Sequence, residues 1–311
     1  MDLFDVVLPV FLVIGLGFLL RLAGFLREAT NTALSKLVFY VAAPALLFRS
    51  ISQTSLGESV SVPTLLLVVG VTLLVAFMVY IATARCAPSR RGVLAQGSHR
   101  SNMVFVGLPV IINAYGETAV ATAAVLIAVM VVFYNLLAVL LLTLPHQQTS
   151  AYDPQVWANT SLKVLRNPLI LGCSGGILLA ALGVDLPVSL DRSLALVGRT
   201  AAPLALLTVG AGLDFSQLRA EVPAAAGTAL VKLIVYPALV YFGLRSLGFV
   251  GLDLEIPVLV MASPTAVVSY IMVREMDGDA RLAGAIIIAT TAASLFTILG
   301  WLVFFRLHNP V

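Results

Sequence analysis

The stretch Ser101-Asn102-Met103-Val104-Phe105-Val106-Gly107-Leu108-Pro109-Val110-Ile111-Ile112-Asn113 lies in a hydrophobic segment, yet it carries Gly107 and Pro109 at its middle. Proline lacks the N–H that closes a helical hydrogen bond, and its ring clashes with the carbonyl one turn earlier. Backbone left unpaired in this way is tolerated at membrane depth only where it is buried in protein or lines a water-filled cavity. We therefore predict a broken helix beside a cavity.

A second stretch has the same character: Met261-Ala262-Ser263-Pro264-Thr265-Ala266-Val267-Val268-Ser269. Its proline follows Pro109 by 155 residues. Each proline alone is also compatible with a tolerated kink. Interrupted apolar segments in corresponding positions of two halves of a chain, however, point to the binding site of a transporter.

The composition indicates a polytopic membrane protein. Of the 311 residues, 60% are hydrophobic and 11% are charged, and the mean hydropathy is +1.05. Soluble proteins have about 45–50% apolar and about 25% charged residues. The net charge is only +3, and the basic residues lie in short loops without interleaved aromatic residues. We expect a lipid bilayer and no nucleic acid as partner.

The cysteines and histidines do not form a pattern typical of a metal site, a disulfide framework or a cofactor site. Cys86 is next to a basic loop, Cys173 lies in an apolar segment, and no CxxC motif is present. His99, His146 and His308 are scattered over predicted loops and the tail. The sequence therefore predicts no metal and no cofactor.

The hydrophobic pattern predicts ten membrane helices, because a spanning helix needs about 20 mostly apolar residues. The run that begins at Val6 lacks a basic n-region and a cleavage site, so we interpret it as a retained helix. The predicted segments are residues 6–24, 33–53, 62–84, 93–114, 118–144, 167–184, 190–213, 222–245, 255–274 and 280–305.

A polar interval over residues 146–166 divides the chain into two five-helix units, residues 1–145 and 167–311. Several residues recur across this linker at an offset of 159: Pro9, Gly17 and Gly24 recur as Pro168, Gly176 and Gly183, and Ala42-Ala43-Pro44 recurs as Ala201-Ala202-Pro203. The order and the near-constant offset predict a tandem duplication. Since five is an odd number, the two repeats are predicted to be inverted in the membrane.

The distribution of Lys and Arg predicts the orientation of the chain. One side of the membrane receives twelve of these residues and the other side receives four. The first set is Arg21, Arg27, Lys36, Arg85, Arg90, Arg91, Arg100, Lys163, Arg166, Arg219, Arg274 and Arg281, and the second is Arg49, Arg192, Arg245 and Arg306. Because cytoplasmic loops are enriched in basic residues, both termini are expected outside the cytoplasm and the linker inside.

Two cations lie deep in predicted helices. Lys232 is near the middle of the eighth segment, where it is expected to face a cavity or a partner. A structural pairing with a helix C-terminus or a loop carboxylate is the alternative. For Arg199, one turn before Pro203, we favour a structural role.

None of the fifteen carboxylates is placed centrally in a predicted helix, which favours an anion as the ligand. Each half-helix that follows a break begins with unpaired N–H groups and the positive end of its dipole, which suit a carboxylate. Ser263, Thr265 and Ser269 add hydroxyl groups at one break, and Asn102 flanks the other. Asn135 is a lone amide deep in the fifth segment, where a bond to another helix and a ligand contact are equally compatible with the sequence.

At these residues the sequence resembles the auxin efflux carrier family, which includes plant auxin exporters and bacterial malonate and malate permeases. The resemblance covers both halves of the chain. The matching stretches are Leu37–Phe48, Asn102 with Gly107-Leu108-Pro109, Ala202-Pro203-Leu204 with Gly210, Val231-Lys232-Leu233, and Ala262-Ser263-Pro264-Thr265-Ala266.

The resemblance implies an all-α fold of ten helices in two inverted five-helix repeats, with two broken helices that cross at Pro109 and Pro264. It implies a substrate site beside this crossing and a homodimer as a possible assembly. The candidate substrate-binding residues are Asn102, Gly107, Pro109, Val110, Asn135, Lys232, Ser263, Pro264, Thr265 and Ser269. The candidate structural or hinge residues are Pro44, Pro203 and Arg199.

We therefore expect a secondary active transporter, and not an enzyme, in a bacterial inner membrane. It would move a small organic anion, such as malonate, malate or an auxin-like acid, by alternating access. The coupling ion, H+ or Na+, and the direction of transport stay open. The alternative functions are a sensor or channel with the same fold, and an intramembrane hydrolase, for which no Ser-His, paired Asp or metal signature is present at the membrane midplane.

Overall fold

The computed structural model of the protein describes residues 3–53, 62–146, 168–213 and 221–308. The predicted linker over residues 146–166 lies outside these ranges except for His146. The described residues are helical and include no β-strand. The helices are α1 (Leu3–Leu22), α2 (Glu28–Ser52), α3 (Val62–Ala82), α4 (Pro88–Gly97), α5 (Met103–Tyr115), α6 (Val120–Thr143), α7 (Pro168–Leu182), α8 (Val188–Ala211), α9 (Val222–Ser246), α10 (Leu252–Ala262), α11 (Val268–Glu275) and α12 (Ala280–His308).

Within the described ranges, six helices are long and apolar enough to cross a membrane: α2, α3, α6, α8, α9 and α12. The protein is therefore a multi-pass membrane protein. Of the other predicted crossings, the first falls on α1, which has 20 residues, and the rest fall on shorter helices, so the ten-helix arrangement stays a prediction.

The helices pack into two units, and each unit takes segments from both sides of the predicted linker. Unit 1 comprises residues 1–65, 104–132 and 161–213, and unit 2 comprises residues 66–103, 133–160 and 214–311. The packing boundary therefore differs from the boundary between the predicted repeats, and the division into repeats stays a prediction.

In unit 1, glycines let pairs of helices approach through their backbones. A side chain on Gly17 of α1 would overlap the carbonyl group of Leu207 in α8, and one on Gly176 of α7 would overlap the carbonyl group of Phe48 in α2. Gly176 follows Gly17 by 159 residues, and Leu207 follows Phe48 by the same number. The two contacts are therefore related by the same offset of 159 residues as the sequence repeats. This relation is expected if a pair of contacting helices was duplicated.

Three helices contain a short π-helical turn that ends two residues before a proline. The turns are Val38–Ala42 before Pro44, Met103–Gly107 before Pro109, and Val231–Val235 before Pro237. A proline withdraws the donor of one helical hydrogen bond and crowds the preceding turn, and a wider turn accommodates both effects. These prolines consequently lie inside continuous helices.

The first broken helix is therefore interrupted at a different place from the one predicted. The helix is continuous through Gly107 and Pro109, and residues 98–102 form the interruption, between the end of α4 at Gly97 and the start of α5 at Met103. The second interruption, residues 263–267 between α10 and α11, contains Pro264 as the sequence indicates.

Candidate functional site

The backbones of the two interruptions pair with each other inside unit 2. The amide of Asn102 donates to the carbonyl of Pro264 at 2.7 Å, and the amide of Ala266 donates to the carbonyl of Arg100 at 3.0 Å. Ser101 and Thr265 form an antiparallel bridge pair. Buried backbone polar groups need partners, and here each interruption supplies them for the other.

Side chains from the interruptions also satisfy carbonyl groups at the end of α4. The last carbonyls of a helix have no helical donor. Thr265 Oγ1 donates to the carbonyl of Gly97 at 2.7 Å, and the ring Nδ1 of His99 lies 2.7 Å from the carbonyl of Ala95. Because a carbonyl can only accept, the proton of this bond is on Nδ1.

The end of α10 is satisfied in a reciprocal way. The carbonyl of Met261 accepts from Ser101 Oγ at 3.2 Å and from Lys232 Nζ at 2.5 Å. Lys232 Nζ also donates to Ser101 Oγ at 2.8 Å. A cation at the C-terminal end of a helix interacts favourably with the negative end of the helix dipole.

Lys232 lies in the π-helical turn of α9, and its side chain is 0% exposed. Pro237 lacks the N–H that would bond to Leu233 one turn earlier. Trp301 Nε1 donates to the carbonyl of Leu233 instead, at 3.3 Å. The widened turn that holds Lys232 is thus stabilised by a side chain of α12.

Arg100 is a second buried cation, with 5% of its surface exposed. Its guanidinium donates to the carbonyl of Tyr134 at 3.2 Å and to Asn135 Oδ1 at 2.8 Å, both on α6. The charge count assigned Arg100 to the cytoplasmic side, although the predicted segment 93–114 includes it, and the structure shows the residue buried. Asn135, a predicted substrate ligand, serves here as a partner of Arg100.

Neither buried cation has a carboxylate partner within the part of the chain that the structure describes. The ion pairs there include those of Arg49 with Asp191, of Arg90 with Glu221 and Asp279, and of Arg199 with Glu117. Removing a cation from water costs several kcal/mol unless an opposite charge or hydrogen bonds compensate. Among the described residues, Lys232 and Arg100 are compensated by neutral acceptors and, for Lys232, by the Tyr236 ring 5.1 Å away, so they create a positive region at the interruptions.

A chain of hydroxyl groups continues from Ser101 through unit 2. Tyr134 and Tyr236 are 3.1 Å apart at their hydroxyl oxygens, and Tyr236 lies 2.6 Å from Thr72 Oγ1. Thr72 uses its proton to donate to the carbonyl of Val68. Tyr236 can donate to Thr72 or to Met261 Sδ, which lies 2.9 Å away, and Tyr134 can donate to Tyr236 or to Ser101 Oγ at 3.5 Å.

Several buried polar atoms near the interruptions lack a hydrogen-bond partner among the described residues. These are Asn102 Nδ2, Ser269 Oγ, His99 Nε2 and both polar atoms of the Gln96 side chain. Because nearly all buried polar groups in proteins are paired, such a group of atoms marks a place where a ligand could bind. Asn102 and Ser269 were predicted site residues, whereas His99 was assigned to a loop and Gln96 was not singled out.

The remaining predicted residues have varied roles. Ser263 Oγ donates to the carbonyl of Leu259 at 3.2 Å and so helps to end α10. Gly107, Pro109 and Val110 are buried and belong to the continuous helix α5, in the part assigned to unit 1.

The predicted hinge residues lie in unit 1. Pro44 follows the π-helical turn of α2, and Pro203 lies within α8. Arg199 is not buried: its side chain is 66% exposed and pairs with Glu117 at 3.2 Å.

A separate ion-pair network lies outside the predicted membrane segments. Arg90 binds Glu221 at 2.6 Å and Asp279 at 3.0 Å. The hydrogen bond from Arg90 holds the pKa of Glu221 below its usual value. Asp279 Oδ1 also accepts from the amide of Leu282 at 3.0 Å, which caps the first turn of α12.

Comparison with known proteins supports the assignment of this architecture to transport. A protein of Rhizobium meliloti with the name "Putative malonate transporter" is 29% identical over 320 residues, which cover 98% of this chain and 96% of the relative. An "Uncharacterized transporter" of Methanothermobacter thermautotrophicus is 25% identical over 316 residues, 96% of each protein. The sequence model of the family described as "Membrane transport protein" matches residues 2–302. The chain therefore belongs to this membrane transport family, the auxin efflux carrier family.

Proposed function

We propose that the protein is a secondary active transporter that binds a small organic anion beside the paired interruptions and moves it by alternating access. The observation that carries the proposal is the burial of Lys232 and Arg100 without a carboxylate partner in the described chain. An anion would supply the charge that these cations lack.

The donors at the site are suited to a carboxylate. Lys232 has three N–H donors, of which two are used by Ser101 and Met261. Asn102 Nδ2 and Ser269 Oγ are buried donors without a partner among the described residues. Hydrogen bonds from charged groups to a carboxylate are about twice as strong as bonds between neutral groups.

A dicarboxylate fits two cations better than a monocarboxylate does, because each negative charge can offset one positive charge. The name of the Rhizobium meliloti relative refers to malonate. We therefore take malonate as the first probe, with malate and an auxin-like monocarboxylate as further members of the substrate class.

The proposed arrangement comprises ten segments in two inverted repeats, in a bacterial inner membrane, with both termini outside the cytoplasm. Transporters built in this way hold their substrate near the midplane, between discontinuous helices. The paired interruptions in unit 2 support this proposal, because they are helix breaks whose backbone groups bond to each other within the protein.

The proposal is tested by thermal unfolding of the purified protein with malonate, malate, indole-3-acetate and malonamide. Malonamide has the shape of malonate without its charge. An anion that binds the folded state stabilises it by about 2.7 kcal/mol at 100 times its Kd. We expect malonate or another carboxylate, but not malonamide, to raise the unfolding temperature.

Transport is then measured as counterflow of the stabilising carboxylate in proteoliposomes. Saturable counterflow that the unlabelled carboxylate drives is expected of an alternating-access carrier. Binding without counterflow would overturn the transport proposal in favour of a sensor, and non-saturable flux would indicate a channel. If no carboxylate stabilises the protein, the anion site itself is refuted.

A further inference from the structure

His99 is a fully buried, titratable side chain that the proposed anion site does not use. It is 0% exposed, and its Nδ1 donates to the carbonyl of Ala95 at 2.7 Å. Its Nε2 has no hydrogen-bond partner among the described residues. With the proton of the neutral ring held on Nδ1, Nε2 carries the lone pair and is the atom that can accept a second proton.

The charged groups that act on His99 are the two cations of the proposed anion site. Arg100 is the next residue, and Lys232 also interacts with the His99 ring electrostatically. The titratable ring of Tyr134 contacts the imidazole, with 5.6 Å between the ring centroids, and its hydroxyl is 3.1 Å from that of Tyr236. No carboxylate is paired with either cation within the described ranges.

We propose that His99 is the proton-binding group that couples this transporter to the proton gradient. Nε2 takes one proton from water on the side where the anion enters, and it returns that proton to water on the side where the anion leaves. No other bond forms or breaks. The inference rests on the proposed function, because it requires an anion to bind beside Lys232 and Arg100.

The coupling follows from charge. While the anion is absent, a second proton on His99 is disfavoured first by the burial of the ring and also by repulsion from the two buried cations. A dicarboxylate between Lys232 and Arg100 offsets both positive charges and removes this repulsion, so protonation of His99 becomes more favourable when the anion is bound. Linkage is reciprocal, so protonation of His99 must strengthen anion binding by the same factor.

The geometry of a second histidine provides a matched control. His308 Nδ1 lies 3.0 Å from the carbonyl of Phe304, also four residues earlier on a helix, but His308 is exposed. The variant His99→Asn keeps an N–H donor near the position of Nδ1 and removes the group that accepts the proton. His308→Asn makes the same chemical change away from the buried cations.

Proton uptake is measured by titrating the purified full-length protein with malonate in a calorimeter, in buffers that differ in ionisation enthalpy. The wild-type protein and His308→Asn are expected to take up one proton more per bound malonate than His99→Asn does. Malonate itself titrates, but its contribution is the same in all three proteins and cancels in the comparison. In the pH range where binding takes up this proton, the malonate affinity of the wild type is expected to rise by up to tenfold for each pH unit of acidification, relative to that of His99→Asn.

The transport assay separates coupling from folding and from binding. In proteoliposomes, His99→Asn is expected to retain malonate counterflow and to lose the acceleration of uptake by an inwardly directed proton gradient. Equal proton uptake by wild type and His99→Asn, or uptake by the variant that still follows the gradient, overturns the role of His99. If wild-type protein binds malonate with no proton uptake at any pH, the inference fails while the anion site stands. If neither malonate nor another carboxylate of the panel binds, the anion site and the inference both fail.

Discussion

The indole Nε1 of Trp301 donates to the carbonyl of Leu233 across 3.3 Å. Pro237 leaves this carbonyl without its helical donor, and the π-helical turn around it carries Lys232. A residue far from the interruptions in sequence thereby helps to set the direction in which the buried lysine points.

Replacing Trp301 by phenylalanine is expected to lower the free energy of unfolding by about 1 kcal/mol, the typical net value of one hydrogen bond. Phenylalanine retains an aromatic ring beside Tyr241 and Phe305, which the indole contacts, so the loss reports mainly on the donor. Chemical unfolding in detergent measures the change.

The variant Pro237→Ala supplies the control for this prediction. Alanine restores an N–H that can bond to Leu233, so Trp301→Phe is expected to cost less in that background than in the wild type. A double-mutant cycle measures the difference. Equal costs in the two backgrounds would show that the Trp301 donor does not replace the missing helical bond.

Gly210 of α8 is expected to tolerate no side chain, because a Cβ there would overlap the carbonyl of Ile14 in α1. Overpacking of a close contact costs typically about 1–3 kcal/mol, and backbone atoms cannot move away as a flexible side chain can. Gly210→Ala should therefore lower the unfolding temperature. Gly70→Ala in α3 is the matched control, since nothing lies within 4 Å of a Cβ at that position, and alanine is the better helix former.

The pair formed by Arg90 and Glu221 is expected to make stability depend on pH. The pKa of Glu221 is lowered by its hydrogen bond from Arg90. Its contribution to stability is therefore complete above the ordinary glutamate value of about 4.3 and is lost as the pH falls through the lower folded-state pKa.

Glu221→Gln should accordingly destabilise the protein by about 1 kcal/mol near neutral pH, and the difference from wild type should vanish in strong acid. Melting temperatures measured from neutral pH down into strong acid provide the measurement. Glu117→Gln is the control, because Glu117 and Arg199 are both mostly exposed, and such pairs contribute little. A difference from wild type that persists unchanged into strong acid would exclude the ion pair as its cause.

The sequence predicts helices well where a long apolar run decides them. The predicted segments 62–84 and 118–144 correspond to α3 (Val62–Ala82) and α6 (Val120–Thr143). The predicted position of the first interruption is wrong, because Pro109 was taken as the cause of the break. In the structure, Pro109 follows a wide helical turn, and bonds to Pro264 and Ala266, distant in sequence, hold residues 98–102 open.

The same distant pairing explains which site residues were missed. Lys232 is recognisable because it is a lone charge in an apolar run. Arg100 and His99 occur in a polar run, Gln96-Gly97-Ser98-His99-Arg100-Ser101-Asn102, which is typical of an exposed loop. This run is buried, because several of its polar groups form hydrogen bonds with the second interruption. That interruption is distant in sequence, so the local sequence pattern does not indicate it.

The orientation predicted from the basic residues can be tested by cysteine labelling in intact cells. In a background with both native cysteines replaced by serine, Thr149→Cys, outside the described residues, is expected to resist an impermeant reagent. Asp185→Cys, an exposed position in a loop predicted to be external, should react. Labelling of Thr149→Cys from outside would reverse the predicted topology.

Lys232 has two candidate roles: it stabilises the fold or it binds the anion. Its bonds to Met261 and Ser101 are charge-assisted and contribute about 1.5–3 kcal/mol each. Burial of the ammonium costs several kcal/mol, which is of the same size. The two terms nearly cancel, so stability alone does not account for a lysine at this position.

Lys232→Met keeps most of the side-chain length and removes the charge. We expect a small change in unfolding temperature, because the lost hydrogen bonds and the relieved desolvation oppose each other, and a 10- to 100-fold loss of malonate affinity, the equivalent of about 1.5–3 kcal/mol. The exposed Lys36 provides the control: Lys36→Met removes the same charge and should leave affinity unchanged. A strong loss of stability with near-normal affinity would assign Lys232 to supporting the end of α10. Wild-type affinity and transport rate in a well-folded Lys232→Met protein would refute both roles, because the buried positive charge would then serve neither the fold nor the anion.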